Sequence, residues 1–330
     1  MDLYYDDFGT FRNVYHSLGG VYVQFGNMPF SLRKQLKNHF IIGFVPFGAS
    51  FTEFIKPFLR DIRKLEKGIS MYVHGQEYLI TGGLGIVTAD LPQGNDLAGT
   101  KRHGANFGCR NCFANKENFA DNNFDIIAKA RYLHETIELI NKRNLIESLS
   151  RKSEFNTKYG LSKKPSPFSV LQFDPFTQIP QDAYHAISGK IARLMESTIE
   201  ILSKRGENDF IKYWKNFEMP SSWSKMQNPI SHYKSLFMSD QQRLTMIIPF
   251  ILKRFLSSEH LKKEQFEKIK VTTCANSQQV IKKIIECWLK VAMCAKQVFF
   301  PYFRPDDYKK LNNMLCDERE SLIKVRFNSF

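Results

Sequence analysis

Asp90 opens the segment DLPQGNDLAGTKRHGANFGCRNC, which runs to Cys112 and joins two kinds of metal-ligating chemistry. An aspartate offers hard oxygen donors of the sort Mg²⁺ or Mn²⁺ takes. Cys109 and Cys112, in a Cys-x-x-Cys, offer thiolates suited to Zn²⁺, as half of a structural site that needs two more ligands. The acids that could partner Asp90 lie near the start of the chain, at Asp6 and Asp7. Two carboxylates held close together can share a divalent ion, whose charge offsets their repulsion and which activates water or a 3′-hydroxyl for attack on phosphate.

Bringing residue 6 or 7 to residue 90 requires a sheet. LYYDDF has the residues of a strand, and VYHSLGGVYVQF continues in that character around Gly19-Gly20, which reads as a hairpin-like turn. FIIGFVPFG, residues 40–48, reads as a third, buried strand. Ser50 and Glu53 fit a capping box, and Phe51, Phe54, Ile55, Phe58 and Leu59 then recur at helical spacing, with Pro57 expected to kink the helix. Two short strand-like runs, ISMYV and EYLI, precede LGIVTAD, residues 84–90, an apolar run that delivers Asp90. Three antiparallel strands, a helix and a further strand, with acids on the first and the last, are the order a ribonuclease-H-like fold requires. The expected class is therefore α/β, a ribonuclease-H-like mixed sheet over residues 1–124 followed by a large all-helical portion over 125–330. Neighbours on a strand point to opposite faces, so only one of Asp6 and Asp7 can aim at Asp90.

The second part reads as helices. DIIAKARYLHETIELINKRNLIESL has its apolar residues on one face and predicts a single long helix. A polar, basic, Pro-containing connector follows near 151–167, and further helices are expected at 181–204, 208–217, 239–257, 276–299 and 305–324.

Charge narrows the class of partner. The chain has 330 residues, with 47 Lys and Arg against 33 Asp and Glu, a net charge of +14. Such a surplus on a folded chain favours a polyanion, either nucleic acid or an acidic membrane surface. The basic residues are dispersed and no basic amphipathic helix stands out, which favours nucleic acid. No apolar run is long enough to span a bilayer, and the acidic start reads as neither a signal nor a transit peptide, so an intracellular protein is expected. Six cysteines in this length are too sparse for a secreted disulfide framework. SLRKQLKNH, Lys101-Arg102-His103 with Arg110 and Lys116, Arg151-Lys152 and Lys163-Lys164 are the segments that could line a phosphate-binding face.

Several short motifs, in order, resemble the transposases of CACTA-class (En/Spm-like) DNA transposons, in a form similar to fungal members. Asp6-Asp7-Phe8-Gly9-Thr10-Phe11 resembles the family's Asp-x-Phe-x-Pro-Phe, with Thr10 in place of the proline. Asn27-Met28-Pro29 resembles its Asn-Leu-Pro. Asp90-Leu91-Pro92, Leu97-Ala98-Gly99 and Cys109-Arg110-Asn111-Cys112 resemble Asp-x-Pro, Leu-Ser-Gly and Cys-Pro-x-Cys, with Arg110 where proline is usual. Asp182-Ala183-Tyr184-His185 resembles Asp-x-Met-His. The resemblance implies a nuclear enzyme that cleaves and joins DNA with Mg²⁺ or Mn²⁺ held by an acidic triad, Asp6 taking the first position, with Asp7 its rival, and Asp90 the second. It further implies Zn²⁺ at Cys109 and Cys112 and leaves a homo-oligomer open. The family's remaining zinc ligands, a closely spaced His pair, and its third acid, a Glu, have no counterpart here. His103, His185 and His232 form no such pair, and Glu196, Glu200 and Asp240 are ordinary acids of helical surfaces. The expectation is an incomplete copy, truncated at both ends, or a non-catalytic nucleic-acid or protein interaction module on the same fold.

Overall fold

A computed structural model describes residues 1–11, 14–119 and 121–325, apart from the side chains of residues 10, 11, 14 and 15. The chain is mixed α/β and mostly helical, and it divides into two compact units, Met1–Asp182 and Ala183–Phe330. Residues 125–182, expected to begin the helical part, thus belong with the sheet.

In the first unit, strand β1 (Asp2–Phe11) pairs antiparallel with β2 (Val14–Gln24), and β2 pairs antiparallel with β3 (Phe40–Val45). Helix α1 (Phe51–Lys67) then buries Ile55, Leu59 and Ile62 and continues through Pro57. Ser50 sits at its N-cap without a side-chain cap bond, and Glu53 pairs with Lys56 instead of closing a capping box. A hairpin follows, β4 (Ile69–Val73) and β5 (Gln76–Ile80), turning at His74 and Gly75, both at positive φ. The chain then returns as β6 (Val87–Thr88), parallel to β1, giving the order β3-β2-β1-β6. Leu3, Tyr5, Val21 and Val87 face α1 and share one core with Ile55, Leu59 and Ile62.

Three local expectations are corrected. Gly19 and Gly20 make no turn; they lie inside β2, opposite Asp7 and Asp6. Strand β3 is shorter than the apolar run and lies at the sheet edge, where only Val45 is buried. The long helix from residue 125 shrinks to α3, preceded by α2 (Leu91–Leu97): α3 spans Leu133–Asn144, and Ile127 is left exposed in a turn. Part of the basic connector is helical as well, as α4 (Leu149–Tyr159), which ends at Gly160 with φ +65.

The second unit is all helical: α5 (Ala183–Ile201), α6 (Lys204–Lys215), α7 (Met238–Phe255), α8 (Lys263–Thr273), α9 (Ser277–Val298) and α10 (Pro305–Lys324). Their apolar faces enclose a separate core around Ile191, Leu194, Ile251 and Trp288. The Trp288 indole donates to the Thr198 hydroxyl at 3.0 Å, so the one polar atom of this fully buried ring is satisfied.

Candidate acidic site and cysteine loop

Alternation along β1 separates the two neighbouring acids. Leu3 and Tyr5 face the core, and Asp7, next on that side, accepts a hydrogen bond from the Tyr5 hydroxyl at 3.1 Å. Asp6 accepts one from Tyr4 at 3.0 Å on the other side. Gly19 makes the first arrangement possible. A Cβ at that position would stand 2.7 Å from both the Asp7 carboxylate and the Tyr5 ring, so the absent side chain is the space in which they meet.

Asp90 arrives from β6. The ladder with β1 ends at Tyr4 and Thr88, and Asp90 turns away as the N-cap of α2, accepting from the Gln93 backbone N–H at 2.7 Å. Asp90 and Asp7 share two neighbours. Burial, then Asp7, and then Asp90 and Asp96 hold the Tyr5 hydroxyl well above the usual range. Arg102 is raised chiefly by its hydrogen bonds to Asp96, with Asp90 and Asp7 adding to the effect. Arg102 grips Asp96 through two nitrogens, the shorter contact being 2.7 Å, so Asp96 is an acid already neutralised by its own cation. Asp6 instead shares Tyr4 with Asp182; burial and then Asp6 raise that hydroxyl.

Cys109 and Cys112 lie with their sulfurs 3.5 Å apart. The hydrogen bond from Cys112, backbone N–H groups and the nearby Arg131 lower the Cys109 thiol to about 6, and the same pairing together with burial pushes Cys112 up. Two buried arginines build this loop. Arg110, fully buried, donates to the carbonyls of Ile179 and Pro180 at 2.9 and 2.5 Å and to Asn95 Oδ1 at 3.0 Å. Arg131 donates to the carbonyls of Cys109 and Tyr159 at 2.8 and 2.9 Å and stacks over Phe113. Burial lowers both guanidinium groups to about 10, yet each remains a cation at neutral pH. Among the described residues no three His, Cys, Asp or Glu side chains come together as a metal-holding group, and His103 and His232 are exposed.

Arg110, expected among the phosphate contacts, turns inward as a clamp, and its place in Cys-Arg-Asn-Cys carries no signal of that role. Arg131, Arg143 and Asn156 are buried without a sequence signal, because polar residues of helices and turns are ordinarily solvated. Glu196 accepts from Tyr233 at 2.7 Å and Asp240 pairs with Arg243 at 3.0 Å, and both lie in the helical unit. Neither a family model nor a curated protein sequence matches this chain.

Proposed function

We propose that the first unit is a ribonuclease-H-like, CACTA-transposase-like module that binds DNA in the nucleus and holds one divalent ion, Mg²⁺ or Mn²⁺, on Asp7 and Asp90. The observation behind this reading is that the parallel return of β6 beside β1 brings Asp7 and Asp90 into one electrostatic neighbourhood, acting together on Tyr5 and Arg102. The sheet order and the position of α1 between the antiparallel strands and β6 support the fold reading.

The donor chemistry fits. Mg²⁺ is commonly held by one or two carboxylates and completes its shell with water and substrate phosphate, so a third protein acid is not needed for binding. Such an ion would polarise a phosphate and activate the attacking oxygen. Tyr5 fixes one Asp7 oxygen, and the α2 backbone fixes one Asp90 oxygen. Asp96 is withheld by Arg102. With Asp96 held by Arg102, Asp7 and Asp90 support metal and DNA binding with incomplete catalysis. Zn²⁺ on Cys109 and Cys112 belongs to the same proposal and would need two further ligands.

The second reading, a non-catalytic nucleic-acid or protein interaction module, is favoured by the structural duties of both acids as hydrogen-bond acceptors. Calorimetric Mn²⁺ titration, run beside nicking of supercoiled plasmid DNA, separates the two. The expected result is Mn²⁺ binding lost in Asp7→Asn and Asp90→Asn, kept in Asp6→Asn, with weak nicking. Absence of Mn²⁺ binding would leave only the second reading. Robust nicking abolished by Asp90→Asn would refute the incomplete site.

A further inference from the structure

Two surface clefts of the first unit run into one another, and a third is lined by α1 and the segment that follows Lys163. One, of about 460 Å³, lies beside Asp96 and Arg102 and is lined by Lys101 and Lys163. The next, about 420 Å³, shares Asn156 and Lys163 with it and adds Arg143 and Lys152. Lys164, the neighbour of Lys163, lines the third, of about 440 Å³, together with Arg60 and Arg63 on α1.

The charge in the first two clefts is almost wholly positive. Asp96, their one acid, is matched by Arg102. Lys101 donates to the Thr157 hydroxyl at 2.8 Å and Arg143 to the Ser162 carbonyl at 3.1 Å, contacts with neutral groups that leave both charges uncancelled. Lys152 and Lys163 make no ion pair among the described residues. Like charges along one groove repel until an anion enters, and a chain of regularly spaced phosphates satisfies several at once. The junction of the clefts holds a second kind of signal. Asn156 is 6% exposed, and its Oδ1 has no hydrogen-bond partner. Buried acceptors are seldom left so, and the broad terminal torsion of an amide lets it turn toward a ligand.

We infer that the joined clefts are the track of a nucleic-acid strand, with phosphates against Lys101, Lys163, Lys152 and Arg143 and a sugar hydroxyl or base amino group donating to Asn156. The inference rests on the reading of the acids as a phosphodiester site, because the track begins at Asp96 and Arg102, and the charges of Asp7 and Asp90 act on Arg102. Its test does not rest on that reading.

Fluorescence anisotropy with a labelled oligonucleotide, single-stranded and duplex, in EDTA removes any metal contribution. Lys152→Glu with Lys163→Glu is expected to weaken binding at least about tenfold and to flatten the salt slope by about two phosphate contacts. Lys152→Gln with Lys163→Gln should fall between this variant and the wild type, and Asn156→Leu should weaken binding with the slope unchanged. Lys309→Glu with Lys310→Glu, on exposed positions of α10, makes the same charge change elsewhere and should have little effect. Equal loss in that control, or no loss in the groove variants, would overturn the track. Displacement of the oligonucleotide by poly-glutamate at equal charge concentration would also overturn it, in favour of an acidic peptide. Binding measured in EDTA owes nothing to an ion on Asp7 and Asp90, so a failed metal site and a failed track give different results. Whether the single strand or the duplex binds more tightly identifies the form that occupies it.

Discussion

Residue Cys109 shows how a local charge pattern sets reactivity. Its sulfur receives a hydrogen bond from Cys112 and lies near a buried guanidinium, so it ionises well below the ordinary 9.0 of a cysteine, at about 6. In metal-free protein its alkylation by iodoacetamide should level off near pH 7, whereas Cys287, fully buried and pushed up to about 12, should stay unmodified until the chain unfolds. Peptide mapping of the alkylated chain reads both, and alkylation at Cys109 that still rises steeply past pH 8 would contradict the assignment. The linkage has a definite sign. Between about 6 and 9 the folded chain has released a proton that the unfolded chain retains, so this pair adds stability as pH rises through that window and loses it as pH falls toward 6. Above 9 the unfolded chain gives up protons that Cys112 retains when folded, and the gain reverses. Arg110 is a second residue whose worth lies in its partners. Arg110→Met removes one buried cation but orphans the Asn95 amide oxygen and the carbonyls of Ile179 and Pro180. Replacing a buried charge can be neutral when the partners vanish too; here they remain, so a loss of about 3 kcal/mol in urea unfolding is expected. An unchanged midpoint would mean that water takes the guanidinium's place.

At the scale of elements, the end of α4 is a position where backbone and packing agree. Gly160 holds φ +65, and a Cβ there would stand 2.2 Å from the Phe107 carbonyl oxygen and 2.6 Å from Arg131. The left-handed conformation alone costs an L-residue about 1–2 kcal/mol, and rigid backbone cannot yield to the clash. Gly160→Ala should therefore lower the thermal midpoint by many degrees, while Gly104→Ala, with nothing near its Cβ, should stay within about 0.5 kcal/mol of the wild type by denaturant titration. Equal effects would place the strain elsewhere. The same element marks the limit of what the sequence discloses. The helices of the second unit other than α8 were legible to within a few residues because long apolar faces coincide with caps: Asn276 with Gln279 opens α9, and Pro305 opens α10, whereas the Lys- and Glu-rich α8 was not expected. Helix α4 was not, because its buried face contains the polar Asn156 and its remaining residues read as a basic connector. Gly19-Gly20 misled for a related reason. Glycine announces a turn or a close approach alike, and here the approach is that of Asp7 and Tyr5 across the ladder. The choice between Asp6 and Asp7 depended on which face of β1 meets Asp90, a fact of tertiary packing that no spacing along the chain contains.

Across the whole molecule, each unit closes its own core, and the surplus charge acts on both. A net +14 at neutral pH works against compactness by self-repulsion. The opposing surface pairs are mostly exposed contacts within one helix turn, such as Lys56 with Glu53 and Lys64 with Asp61, each worth only about 0.2–1 kcal/mol. Salt weakens both contributions but not equally. Raising ionic strength from 0.01 to 0.15 M shortens the screening length from about 30 Å to about 8 Å. That change removes repulsion between distant lysines and leaves contact pairs near 3 Å largely intact. The thermal midpoint should therefore rise with sodium chloride over this range, and sulfate should raise it further by occupying the basic clefts of the first unit. A midpoint that falls with added chloride would show that paired charges outweigh the surplus. A sulfate effect no larger than that of chloride at matched ionic strength would place no anion in those clefts.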